Sequence, residues 1–360
     1  MKPKLICFDL EGPLSPQDNA YDVVSLIPGG RELFEMISRY DDIMTVEGRR
    51  GYEPGDTLAL IAPFLIYHNI TSKDIKRVSS RAKIVDGAGE LVSYLKEEDW
   101  KVRIISTSYK EHAYNIGSQI SVSPEEIACT GLDLEKIAYE IGEKELTLIA
   151  DLESEILDKS DDVGAVMNLL NSFFFKVLPD TRYGNPLARV RVVGGSRKVD
   201  AAKEFAKSLD LNLGDIMVVG DSITDFKMLS AVREEGGVAV AFNANMYALP
   251  HANFSLATLD MRFLDLLCSE FPDKEKMVEV AKSWQNSRED FEDDLLDIPD
   301  DLRTPLIDDL LENFSDSEGE DFIVPHIHYL VEGGDALLKE VATIHARFRE
   351  QVRGRASILG

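Results

Sequence analysis

Residues 5–12 read Leu5-Ile6-Cys7-Phe8-Asp9-Leu10-Glu11-Gly12, and residues 216–225 read Ile216-Met217-Val218-Val219-Gly220-Asp221-Ser222-Ile223-Thr224-Asp225. Each opens with a short apolar run that lacks polar alternation, the pattern of a strand buried on both faces. Each run leads into a pair of carboxylates. An acid after a strand often only caps the next turn or helix, and Asp221 alone reads equally well as the cap of a helix beginning near Ile223. Two strand ends, each with two carboxylates, are better suited to holding a divalent cation beside a phosphate.

Two more segments, 102–106 and 237–241, have the same strand character as 4–8 and 216–219. Between them lie helical patterns. Leu91, Val92 and Leu95 share one face over 90–98, and Val199, Ala202, Phe205, Ala206 and Leu209 share one over 199–209. Strand alternating with helix predicts an α/β fold, a doubly wound parallel sheet whose ligands sit at the carboxyl ends of the strands. Asp9, Ser106 and Asp221 fall at such ends.

The predicted core is discontinuous: 1–13, 84–132 and 190–260. A helical insertion spans 14–83, with stripes Leu33/Phe34/Ile37/Tyr40 and Leu58/Ile61/Ala62/Leu65. A second spans 133–189 and begins with Leu134, Ile137, Ala138 and Ile141 at helical spacing. Residues 261–360 read as a third, helical C-terminal unit, closing with the stripe Leu337, Val341, Ile344, Phe348.

The chain has 360 residues, 44% of them apolar, enough for a sizeable core. With 39 basic and 65 acidic residues its formal charge is −26, which would repel nucleic acid and anionic membranes. Half of that charge lies in 287–321, which holds 15 acidic and 2 basic residues. That stretch reads as a solvated acidic surface or as a docking surface for a protein partner; an acidic proteome from a high-salt cytoplasm would produce the same excess. Three scattered cysteines, Cys7, Cys129 and Cys268, form no framework and suit a reducing cytoplasm. No signal peptide is visible, and the apolar stretch 58–67 is about half the length a bilayer needs, so no membrane insertion is expected.

Hydrolysis of a phosphate monoester through a covalent intermediate needs one carboxylate to attack phosphorus and a second to protonate the leaving oxygen and then activate water. It also needs a cation with its carboxylate anchors, and a hydroxyl and a lysine to cradle the phosphoryl oxygens. Asp9 and Glu11 can face one pocket if the chain turns at Gly12-Pro13. Ser106 supplies a hydroxyl, with Thr107 and Ser108 as competitors for its role. Lys198 competes with Arg197 and Lys203. Asp221 and Asp225 complete the set. Gly194-Gly195-Ser196-Arg197 is a turn into the Lys198 helix and lacks the GxxxxGK[ST] phosphate loop. His326 and His328 are two apart with no further ligands around them.

The order and spacing of these residues resemble the haloacid dehalogenase (HAD) superfamily. Its four motifs look like Asp9-Leu10-Glu11-Gly12, Ile104-Ile105-Ser106, Lys198, and Gly220-Asp221 through Asp225. Residues 84–106 and the 23-residue step from Lys198 to Asp221 are similar to the corresponding parts of phosphoserine phosphatases. The resemblance covers roughly 1–13, 84–130 and 190–260. It implies that Asp9 is the nucleophile and Glu11 the general acid/base, and that Ser106 and Lys198 bind the phosphoryl oxygens. It also implies Mg²⁺ held by Asp9, the carbonyl of Glu11 and Asp221, with Asp225 behind. Insertion 14–83 sits where the family has its cap, and there Arg49 and Arg50 are candidates for a substrate carboxylate, set against two solvated loop arginines.

Most family members have Asp where this chain has Glu11. The Asp-Leu-Glu-Gly form is found in a phosphoserine phosphatase-like branch that also transfers phosphate to homoserine. It is similar, too, to methanogen HAD-like proteins assigned as accessory subunits of a membrane hydrogenase. The expectation is therefore a cytoplasmic, Mg²⁺-dependent phosphohydrolase of a small phosphorylated molecule. A phosphotransferase with an alcohol acceptor and a non-catalytic accessory subunit stand as the alternatives.

Overall fold

The apolar runs pair as predicted in a computed structural model of the chain, which describes residues 2–293, 298–315 and 323–359. Seven strands form one sheet: β1 (Leu5–Phe8), β2 (Lys101–Tyr109), β3 (Ile127–Thr130), β4 (Met217–Gly220), β5 (Val238–Phe242), β6 (Phe254–Ala257) and β7 (His326–Tyr329). Their order is β3-β2-β1-β4-β5-β6-β7. All pairs are parallel except β6 with β7. Strands β3, β6 and β7 were not anticipated. Each is short and carries polar residues (Thr130 in β3, Ser255 in β6, His326 and His328 in β7), so none shows the unbroken apolar run that marks β1 and β4.

β1 alternates between two cores because successive side chains in a strand point to opposite faces. Ile6 and Phe8 enter one, with Ile104, Met217, Val219, Val238, Val240 and Phe242. Leu5 and Cys7 enter the other, with Ile105, Val218, Ala239 and Ala241. The first core is covered by α5 (Ala88–Glu97), α6 (Lys110–Gln119), α13 (Asp265–Cys268), α14 (Lys274–Asp293) and α15 (Pro305–Ser315). The second is covered by α11 (Ser196–Ser208), α12 (Phe226–Glu234) and α16 (Gly334–Arg353).

The two insertions leave the sheet after β1 and after β3, and parallel strands bring both departures to the same edge. They consequently share one apolar core and form one cap. The first contributes α1 (Asn19–Val24), α2 (Gly30–Val46), α3 (Thr57–Tyr67) and α4 (Ser72–Ser79). The second contributes α7 (Leu134–Glu140), α8 (Glu143–Asp158), α9 (Val163–Ser172) and α10 (Pro186–Arg189). Phe64 of α3 meets Phe174 edge-to-face at 6.4 Å, which ties the two halves together.

The view of 261–360 as a separate helical unit needs correction. β7 extends the sheet beside β6, with Phe254 opposite Tyr329 and Leu256 opposite Ile327. Trp284 of α14 is buried and donates its indole N–H to the Pro325 carbonyl at 2.9 Å. α16 then crosses the second core, and the last residues put Ala356 and Leu359 into the cap core. Of the acidic stretch 287–321, residues 294–297 and 316–321 lie outside the described residues. No helix among the described residues is long and apolar enough to cross a membrane.

α16 also buries His345. Its Nδ1 accepts the Ala244 N–H at 2.8 Å, so the ring is held neutral at that nitrogen. Burial pushes its pKa down to about 3, and nearby His328, His326 and Arg349 add to the effect. The folded-state value lies below the ordinary 6.5, so the unfolded chain takes up a proton first as pH falls, and stability is lost below about pH 6.5. Between pH 7 and pH 5, denaturant titration should record a loss of about 2 kcal/mol attributable to His345. H345Q should flatten that part of the profile.

Candidate active site

β1 lies between β2 and β4, where the chain order reverses, and at such a point the strand ends open a crevice. Phe8 pairs with Ile104 on one side and Val219 on the other, so the residues after them emerge side by side. The Asp9 N–H donates to the Val219 carbonyl at 2.8 Å, continuing the ladder one residue into the site.

Lys198, in the first turn of α11, is completely buried. Its ammonium donates to Asp9 Oδ1 and to Asp225 Oδ1, each at 2.7 Å. Burial alone would lower its pKa, but the Asp225 and Asp9 carboxylates outweigh that and hold it above the ordinary value. Burial and the Asp225 carboxylate push the Asp9 carboxyl up, while Lys198 pulls it back. The second oxygen of Asp9 has no hydrogen-bond partner among the described residues.

Lys198 reaches this position because the cap grips the start of its helix. Glu53 Oε2 accepts the Ser196 N–H and the Lys227 ammonium, both at 2.8 Å. Asp56 takes Arg197 at 2.6 Å. A Cβ on Gly194 would stand 2.0 Å from the Pro54 carbonyl oxygen, so only glycine allows this approach.

The loop after β4 is organised by Asp225. Its Oδ2 accepts the N–H groups of Asp221 and Ser222 at 3.1 and 3.2 Å, so both of its oxygens are engaged. Asp221 is 1% exposed, and its Oδ1 has no partner among the described residues. Its Oδ2 accepts two guanidinium groups, Arg353 at 2.9 Å and, more closely, Arg349. Gly12 (φ +111°) passes so near that a Cβ there would lie 2.3 Å from Asp221 Oδ2.

Glu11 Oε1 accepts the Asn19 N–H at 2.8 Å. Burial, followed by the charge of Asp18, pushes its pKa up to about 8. His112 lies 3.8 Å away but is neutral, because burial pushes it down to about 3. Ser106 is fully buried and its Oγ accepts the Ser108 N–H at 3.0 Å, while Thr107 lines the cavity beside Asp9.

That cavity has a volume of about 70 Å³. Asp9, Glu11 and Thr107 line it from the sheet, Phe34, Asp42 and Leu58 from the cap, and Arg353 and Leu359 from the chain end. Arg49 and Arg50, expected near a substrate carboxylate, do not line it. Arg49 stacks on Phe175 at 3.6 Å and donates to Asn171, and Arg50 is exposed. Sequence reasoning missed Arg349 and Arg353. The available signal was the i, i+4 series Val341, His345, Arg349, Arg353, one buried helix face that runs on past the apolar stripe.

The chain matches the haloacid dehalogenase-like hydrolase family model over residues 78–260, half of its length. It belongs to that family. It is also similar to the solved structure of a gene product from Archaeoglobus fulgidus, at 27% identity and a TM-score of 0.80, over 100% of this chain and 99% of that one. Phosphoserine phosphatase in apo form matches at 16% identity and TM-score 0.48, over 73% of this chain and 98% of its own. A probable phosphoserine phosphatase from Vibrio cholerae matches at 18% and 0.43, over 71% of this chain and 60% of that one. No curated protein matches the sequence.

Lys198 neutralises two buried carboxylates, so K198M should leave Asp9 and Asp225 facing each other uncompensated. Urea titration at pH 7 is expected to record a destabilisation of ~3–5 kcal/mol.

Proposed function

We propose that this HAD-like hydrolase is a phosphohydrolase acting on a small phosphate monoester, with Asp9 as nucleophile and Glu11 as general acid and base. The observation that carries this reading is the pairing at one cavity of two carboxyl groups, Asp9 held on one oxygen by a buried ammonium and Glu11 held by the Asn19 N–H. The free oxygen of Asp9 attacks phosphorus and the bond to the leaving oxygen breaks, with the Glu11 proton passing to that oxygen. Water then attacks the phosphorus of the aspartyl-phosphate, Glu11 takes the water's proton, and the bond to Asp9 breaks to release phosphate. Lys198 keeps Asp9 oriented throughout.

The residues fit a magnesium ion. Asp9, Asp221 and Asp225 each offer an oxygen, all within 4.8 Å of one another, and Asp221 Oδ1 is buried without a partner among the described residues. Such an all-oxygen set with few carboxylates suits Mg²⁺, which keeps several waters and binds phosphate oxygens. Asp9 and Asp221 would hold it, with Asp225 keeping the loop in place. Bound there, the ion supplies charge neutralisation for the phosphoryl oxygens.

Phosphate release should be measured from a panel of small phosphate esters with Mg²⁺ and with chelator. D9N is expected to fall to background, and E11Q to lose about 10²–10⁴-fold in kcat. Equal release by D9N and wild type would overturn the reading.

A further inference from the structure

Arg353 is the only cationic side chain lining the cavity beside Asp9 among the described residues, and it comes from the last turn of α16. Its side chain is 5% exposed. A buried guanidinium carries five N–H donors that need acceptors. Two contacts are made: Nη1 donates to Asp221 Oδ2 at 2.9 Å, and Nε to the Pro16 carbonyl at 3.4 Å. The other amino nitrogen, Nη2, has no partner among the described residues.

Arg349, one turn earlier, contrasts with it. Nε donates to Ser357 O at 2.9 Å and Nη2 to Leu359 O at 3.0 Å. Nη1 is shared among the Asp221 carboxylate and the carbonyls of Asp221 and Asn243. All its nitrogens are spent on fixing the chain end against the β4 loop. Arg353 is thereby seated with donors to spare, in a cavity whose other ionisable walls are the carboxyl groups of Asp9, Glu11, Asp18, Asp41 and Asp42. A phosphoryl dianion entering there finds no other cation in the cavity wall among the described residues, and a planar guanidinium fork is the group best matched to its oxygens.

We propose that Arg353 binds the phosphoryl group of the substrate and that Arg349 is the positioning residue that seats it. The C-terminal helix thus completes the active site from the far end of the sequence. This rests on the phosphohydrolase reading above.

The test uses the full chain and two probes, inorganic phosphate for binding by calorimetry and p-nitrophenyl phosphate for turnover, both with Mg²⁺. R353A should weaken phosphate binding by about tenfold or more and raise KM. Added methylguanidinium should restore turnover to R353A but not to D9N, a rescue that a merely structural arginine would not give. If R353A fails to fold by circular dichroism, R353Q, which keeps a donor for Asp221, takes its place under the same criteria. A folded variant that binds phosphate within about twofold of wild type overturns the proposal. If wild type meanwhile shows Asp9-dependent release, only this proposal falls. A wild type that neither binds phosphate nor releases it from any ester overturns both.

Discussion

The Lys198 ammonium, buried between Asp9 and Asp225, joins three parts of the chain that are far apart in sequence. It fixes the end of β1 to the start of α11 and to the loop after β4. A charge taken fully out of water must be paired closely or it destabilises the fold by several kcal/mol. The three segments therefore cannot shift independently without exposing or orphaning it. The cap is tied to the same point, because Glu53 and Asp56 grip the residues just before and beside Lys198.

Around that bond the buried charges balance. Asp9, Asp221 and Asp225 face Lys198, Arg349 and Arg353, three against three. A divalent cation and a phosphoryl dianion entering together would preserve the balance, whereas either alone would disturb it. Electrostatics of this kind favours joint binding, since each charge lowers the desolvation cost of the other. The site sits within a protein of formal charge −26, and the local cations offset that field at the strand ends.

The chain end shows how far such a site can recruit. α16 follows β7 along the second core, its buried face changing from Val341 and His345 to Arg349 and Arg353 as it reaches the carboxyl edge. Beyond it, Ala356 and Leu359 sit in the cap core. Residues 337–359 thus touch the sheet, the loop after β4 and the cap, and they close the cavity on one side.

The sequence by itself determined the class of fold, the central strands and the Asp9, Glu11, Lys198 and Asp221 set. These depend on local signals: unbroken apolar runs, the carboxylates that follow them, and an order along the chain that topology turns into proximity. Only the tertiary structure decided that 14–83 and 133–189 share one core, since two helical stripes in a sequence do not reveal which partner each will cover. Only it moved Arg49 and Arg50 away from the cavity and brought Arg353, 132 residues beyond Asp221, into contact with that carboxylate. An arginine near a chain terminus looks like any solvated charge, and what distinguishes it is the buried acid it meets, a relation that exists only once the helix has crossed the sheet.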